Sequence, residues 1–319
     1  MALKLNRFDP TVLEEKRKTY GPPTCVILGR RGCGKSTLVS DLLYYCRKVS
    51  AGVVMSGTED GNSFYSKYVP DLFVHSEYNP ETIKQLIARQ KLLGAKVSDK
   101  TDCASKTSMD TFLLLDDLMY DKRMVKDKNI RCIFMNGRWL RIMCFLTAQY
   151  CMDIPPDIRG NVDYLFILKE NIVENQKKLY KHFFGMFQTF EAFRTVLMQC
   201  TDGHDCLVLD NTCRSNKIED AVFWYCATPN REFKIGSPAL WNYHKSHYNP
   251  KHDIQNLGLT ERPKVGISVA KIEKKPKPPK KETETKSGST NKTSGNIQSI
   301  KKTQKSIQSK KPSNIKRNS

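Results

Sequence analysis

The chain has 319 residues, with 53 Lys and Arg against 33 Asp and Glu and a formal net charge of +20. Hydrophobic residues make up 39%, and no apolar run approaches the ~18 residues that a membrane span needs. The N-terminal stretch MALKLNRFDP has no apolar h-region, which argues against a secretory signal. Eleven cysteines at irregular spacing make an odd count for a disulfide framework and read as reduced thiols of an intracellular protein. The charge surplus is uneven. From Lys264 to the end there are fifteen Lys and one Arg against three Glu, a net of +13, with no Cys or aromatic residue. Such a segment cannot build a core and reads as a disordered tail. The remaining ~260 residues suffice for one sizeable α/β domain.

Residues 1–20 form a polar lead-in with a short helix over LEEKRKTY. The apolar run 24–28 lies between GPP and a Gly-rich loop, as a buried strand does. A helix is expected from Lys35 to about residue 48, then strands at 51–55 and, more weakly, 72–75. Pro80 opens a helix over 81–93 that should end at Gly94. Residues 95–110 are polar and read as an inserted loop. Next come a strand at 111–115 closed by two carboxylates, a helix over 128–136, and strands at 142–147 and 162–168. Helices at about 172–184 and 189–199 precede two short strands, 206–209 and 221–225. Strands alternating with helices predict a mostly parallel, doubly wound sheet. The organisation expected is a lead-in over 1–20, one domain over 21–250 and a basic low-complexity tail over 251–319.

The sharpest motif is Gly29-Arg30-Arg31-Gly32-Cys33-Gly34-Lys35-Ser36, followed by Thr37. It fits G-x-x-x-x-G-K-[ST] between a strand and a helix, the context a phosphate-binding loop requires. The glycines let backbone N–H groups curl round a triphosphate, and the helix N-terminus adds positive partial charge. Lys35 would reach the β- and γ-phosphates, and Ser36 would hold Mg²⁺. Arg30 and Arg31 are unusual bulk inside such a loop. The strand TFLLL then delivers Asp116 and Asp117. One carboxylate suits the Mg²⁺ site, and its neighbour suits orientation or deprotonation of an attacking water. The strand IMCFLTA ends in Gln149, an amide that fits a sensor of the γ-phosphate or the lytic water. Cys200, His204, Cys206 and Cys213 contain no C-x-x-C pair, so Cys206 reads as a core thiol. His244, His247 and His252 sit in an aromatic, basic stretch and read as packing of the last ordered segment.

Together with Asn136-Gly137-Arg138 and Ile154-Pro-Pro-Asp-Ile-Arg159-Gly-Asn161-Val-Asp163-Tyr164, these motifs resemble the genome-packaging ATPases of large nucleocytoplasmic DNA viruses. Those form the poxvirus-type branch of the FtsK–HerA translocases. The segment from Cys206 to Ala227 is similar in order and character, so the resemblance spans about residues 22–228. It implies a RecA-like P-loop fold with a strand added between the P-loop strand and the Asp strand. It also implies an ATPase (ATP and water to ADP and phosphate) that works as a homo-oligomeric ring. Such a ring drives double-stranded DNA into a preformed capsid, with contacts at a capsid vertex or portal-like protein. The setting would be the viral assembly site in host cytoplasm, and the virion. Lys35 and Ser36 then bind phosphate and Mg²⁺, Asp116 is the metal carboxylate and Asp117 the catalytic one. Related motors often place Glu there, one methylene longer. Arg138 and Arg159 are the candidates for an arginine finger, Arg159 because it follows Pro155-Pro156 in a predicted loop.

Two other classes compete. A P-loop kinase of a nucleoside or other small acceptor predicts an Arg-rich lid and a compact chain without a basic tail. A non-catalytic DNA-binding protein with a decayed site is opposed by the intact Lys35, Ser36, Asp116 and Asp117. A DNA helicase is a near relative of the leading reading and differs from it in strand separation.

Overall fold

Strands apolar at every position are expected where helices cover both faces of a sheet, and this chain supplies several. The computed structural model describes residues 3–97 and 109–249. In chain order the elements are α1 (Thr11–Thr19), β1 (Thr24–Leu28), α2 (Lys35–Tyr45), β2 (Ala51–Ser56) and α3 (Glu59–Asn62). There follow β3 (Val74–His75), α4 (Pro80–Val97), β4 (Thr111–Asp116), α5 (Lys122–Lys126), α6 (Lys128–Asn136) and β5 (Ile142–Ala148). The last part holds α7 (Pro156–Arg159), β6 (Tyr164–Ile167), α8 (Val173–Phe183), α9 (Phe190–Cys200), β7 (Asp205–Asp210), α10 (Ile218–Ala221), β8 (Val222–Cys226) and α11 (Pro238–His247).

The eight strands form one sheet in the order β3-β2-β4-β5-β1-β6-β7-β8. From β3 to β6 all neighbours are parallel, while β7 and β8 extend the sheet as antiparallel strands. The expected mostly parallel α/β sheet is therefore present, and the strand interposed between the P-loop strand and the Asp strand is β5. Alternation divides the core in two. Cys25 and Ile27 face one side with Leu38, Val39 and Leu42 of α2. Val26 and Leu28 face the other with Ile83 of α4, Ile133 of α6, Leu179 of α8 and Phe193 of α9. Register brings the ends of β1, β5 and β6 level, with Leu28 opposite both Ala148 and Ile167. Likewise Ser56, which ends β2, lies opposite Asp116, which ends β4. The carboxyl ends of five parallel strands thus form one edge, the place where ligands bind in open α/β sheets.

Differences from the sequence reading have local causes. Helix α4 runs through Gly94 to Val97, because a glycine facing open space weakens a helix without ending it. Residues 98–108 of the expected loop lie outside the described residues, as does the tail. The weak strand at 72–75 shrinks to Val74–His75, since Asp71–Phe73 is a 3-10 turn. Helix α11 was not foreseen, although Ser237 caps it and Pro238 opens it as such residues do. Its His244 accepts from the Leu72 backbone N–H at 3.4 Å, and His247 stacks on Tyr243. His252 lies outside the described residues.

The N-terminal strip covers the free edge of β8. The Phe8 N–H donates to the Trp224 carbonyl at 2.8 Å, and the Trp224 N–H donates to the Asn6 carbonyl at 3.2 Å. Phe8 is 4% exposed and sets its ring 5.5–6.0 Å from Tyr164, Phe166, Phe223 and Tyr225. Among the described residues no helix is long and apolar enough to cross a membrane.

Candidate nucleotide site

Between Leu28 and Lys35 the chain reverses in six residues, and Gly32 and Gly34 do so with φ of 78° and 98°. A Cβ at either would meet no atom within 4 Å. The need for glycine is therefore conformational, a left-handed backbone that other residues adopt only with strain. No side chain caps α2. Its first-turn N–H groups are left for a ligand, at the positive end of the helix dipole. Lys35 is 8% exposed and folds back over the loop, donating to the carbonyls of Gly29 at 2.9 Å and Arg30 at 3.2 Å. A phosphate oxygen arriving here competes with neutral carbonyls for an ammonium, a contest that charge decides in its favour. Arg30 and Arg31 are exposed, and the Cys33 thiol turns back to the Arg30 carbonyl.

The two adjacent aspartates point different ways. Asp116 is 3% exposed, with Oδ1 accepting from the Thr147 hydroxyl at 2.7 Å and Oδ2 from the Ser56 hydroxyl at 3.1 Å. Burial pushes its carboxyl above the usual carboxylate range, against the pull of those donors. Asp117 is half-buried and has φ of 54°, a left-handed conformation worth about 1–3 kcal/mol of strain in a non-glycine residue. Its N–H donates to the Thr147 hydroxyl at 2.9 Å, and its carboxylate accepts from the Gln149 amide at 2.8 and 3.0 Å. Thr147, fully buried in β5, therefore accepts from one aspartate's backbone while donating to the other's side chain. Near them lies Tyr65, 1% exposed, its hydroxyl close to Asp116 and Ser36.

These groups line a hollow of about 640 Å³ that includes Arg31, Gly34, Lys35, Ser36, Asp116 and Asp117. A second hollow, about 650 Å³, flanks the same loop on the β6 side and includes Gln149, Lys169, Glu170 and Asn171. Ser36 and Asp116 offer the hard oxygen donors that Mg²⁺ takes. Each Asp116 oxygen accepts one hydrogen bond here and retains a lone pair, so the set fits that ion.

The fold thus brings Lys35, Ser36, Asp116, Asp117 and Gln149 to one edge. It leaves both arginines outside that hollow. Arg138 pairs with Asp163 at the opposite edge, beside Thr24, where β1 begins. Arg159 closes α7 and donates to the Met152 sulfur at 3.2 Å. It pairs with no carboxylate among the described residues. Ser56, Tyr65 and Thr147 escaped the sequence reading. Their participation depends on strand register and a returning loop, and no motif spacing encodes either.

No protein-family model matches the chain. It is 39% identical over 231 residues to the uncharacterized protein L437 of Acanthamoeba polyphaga mimivirus, covering 72% of this chain and 81% of that one. Over 252 residues it is 36% identical to the uncharacterized protein 075L of Invertebrate iridescent virus 6, covering 77% and 95%. Among solved structures it is similar to the genome packaging NTPase B204 of Sulfolobus turreted icosahedral virus 2. That match has 19% identity and a TM-score of 0.45, over 66% of this chain and 98% of that one. The chain belongs to the family of large-DNA-virus proteins that includes L437 and 075L.

Proposed function

We propose that the protein is an ATP-hydrolysing motor that translocates double-stranded DNA and packages a viral genome into a preformed capsid. The observation that carries the reading is the joined set Asp116–Thr147–Asp117–Gln149 beside the P-loop lysine. A site that only binds nucleotide has no need to hold a second carboxylate in a strained conformation and fix it with an amide. In this reading the loop N–H groups and Lys35 bind the β- and γ-phosphates. Asp117, oriented by Gln149, aligns an attacking water and accepts its proton. Lys35 offsets the charge that builds on the phosphoryl oxygens. Ser36 and Asp116 would hold Mg²⁺, which when bound would neutralise phosphate charge.

The finer parts of the proposal concern partners. A homo-oligomeric ring would let one chain lend an arginine to its neighbour's ATP, and Arg159 suits this better than Arg138, whose guanidinium is occupied by Asp163. The domain over 21–250 would be the motor, with the lead-in over 1–20 before it. The tail over 251–319 would neutralise DNA phosphates without reading sequence. A capsid vertex or portal-like protein would anchor the ring at the assembly site in host cytoplasm, and in the virion.

The test is ATP turnover with duplex DNA, single-stranded DNA and no DNA, run beside a strand-separation assay. Duplex should stimulate turnover most, with no strands separated. Unwinding would make the chain a helicase. Turnover indifferent to DNA, together with phosphorylation of a small acceptor, would make it a kinase.

A further inference from the structure

The phenol of Tyr65 is an anomaly by the ordinary rule that buried polar groups find partners. Its side chain is 1% exposed, and among the described residues its hydroxyl has no hydrogen-bond partner. It lies close enough to the Asp116 carboxylate and the Ser36 hydroxyl, the two groups that suit a divalent cation, to interact with both, but it meets neither in hydrogen-bond geometry.

The chain takes trouble to put it there. After β2 ends at Ser56, helix α3 presents Glu59, which is 7% exposed. The Glu59 carboxylate accepts from the backbone N–H groups of Tyr65 and Ser66 and from the Ser66 hydroxyl, all at 3.0–3.1 Å. A carboxylate holding three donors of one short turn fixes the direction of that turn's side chains. The Tyr65 ring is then locked from outside by Phe64, whose centroid lies 5.0 Å away at a near-perpendicular angle. Were the ring kept only for packing, phenylalanine would serve as well, and better, because no hydroxyl would be stranded.

We propose that Tyr65 is a positioning residue for the divalent cation of this site, its hydroxyl completing the hydrogen bonding of the cation's Asp116–Ser36 setting. The inference rests on the nucleotide reading above and adds to it a residue from the β2–β3 connection. Groups that hydrogen-bond metal ligands from behind orient those ligands and tune their affinity.

Tyr65→Phe removes one oxygen and keeps the ring. With Mn²⁺ as a paramagnetic stand-in for Mg²⁺ and ADP as the nucleotide, Mn²⁺ affinity should fall about 10-fold or more, the usual loss for such partners. ADP affinity in EDTA should be unchanged, and the Tm without metal or nucleotide should be equal or higher. A structural role gives a different pattern, a lower Tm with ADP affinity reduced alike with and without metal. That pattern, or an unchanged Mn²⁺ affinity, overturns the proposal. If the parental chain fails to bind ADP with Mn²⁺, the nucleotide reading itself falls and takes this inference with it. If the parent binds and the variant matches it, only the role of Tyr65 falls.

Discussion

Asp110 and Asp116 bracket β4, both buried, and the chain treats them in opposite ways. Asp110 is 0% exposed and sits against two guanidinium groups. Arg17 pairs with it, and Arg141 reaches it at 2.6 and 3.0 Å while also donating to the Arg17 carbonyl. Asp116, five residues past the first position of the strand, receives only hydroxyl donors. A buried carboxylate with protein cations around it is complete, and it ties α1, β4 and β5 together. One supplied only with hydroxyls keeps an unmet demand for positive charge. The difference marks the amino ends of the strands as the stabilising edge and the carboxyl ends as the working edge.

That division can be broken most severely at the working edge. Lys35→Ala should abolish ATP turnover and weaken nucleotide binding. Asp117→Asn should keep binding and lower turnover by ~10²–10⁴-fold, the range for removing a general base. Neither should move the Tm much, and an Asp117→Asn chain that turns over ATP at the parental rate removes Asp117 from catalysis. At the stabilising edge, Asp110→Ala takes from Arg141 its carboxylate partner and leaves Arg17 with Glu14 alone, and should lower folding stability by about 3–5 kcal/mol. Denaturant unfolding measures that loss, and nucleotide affinity of the folded protein should be unaffected. If turnover falls while stability holds, the two edges are not separate.

The smallest effect is read through pH, where burial pushes up the carboxyls of both Asp110 and Asp116 and each contributes its own share. The Asp116 carboxyl is pushed up in the folded protein, so the folded state binds the proton more tightly than the unfolded chain. Stability linked to this group is therefore greatest at low pH and declines as pH rises from the ordinary carboxylate range through the raised value. Asp116→Asn should flatten that decline in metal-free protein, and Mg²⁺ with nucleotide should oppose it in the parent. Thermal unfolding across pH checks both. A slope unchanged by Asp116→Asn would assign the decline to another group.

Much of this site was readable from the chain because its signals are local. Gly32 and Gly34 announce a backbone conformation, and the run 111–115 followed by two aspartates announces a buried strand reaching an edge. The sheet followed from the same logic, since continuous apolar runs alternating with helical segments leave few arrangements. What stayed hidden depends on who stands opposite whom. Ser56 meets Asp116 only because β2 and β4 pair in one register, and Thr147 bridges two aspartates only because β5 lies beside β4. Tyr65 returns from a connection whose course is set by a buried Glu59, a tertiary choice invisible in composition. The extra turn of α4 beyond Gly94 was missed for the opposite reason, a strong local signal overruled by its neighbours' preference for helix.

The strip from Asn6 to Phe8 has a consequence beyond local packing. An open sheet of eight strands ends in two rows of unpaired backbone groups, each a template onto which another chain could add. At one end β3 spans only two residues, too little to seed such growth. At the other, β8 spans five residues, and the strip takes both backbone groups of its middle residue, Trp224, with Phe8 pinned among four rings. The first residues of the fold thus act as a selvedge, keeping a protein proposed to assemble through chosen faces from also joining edge to edge.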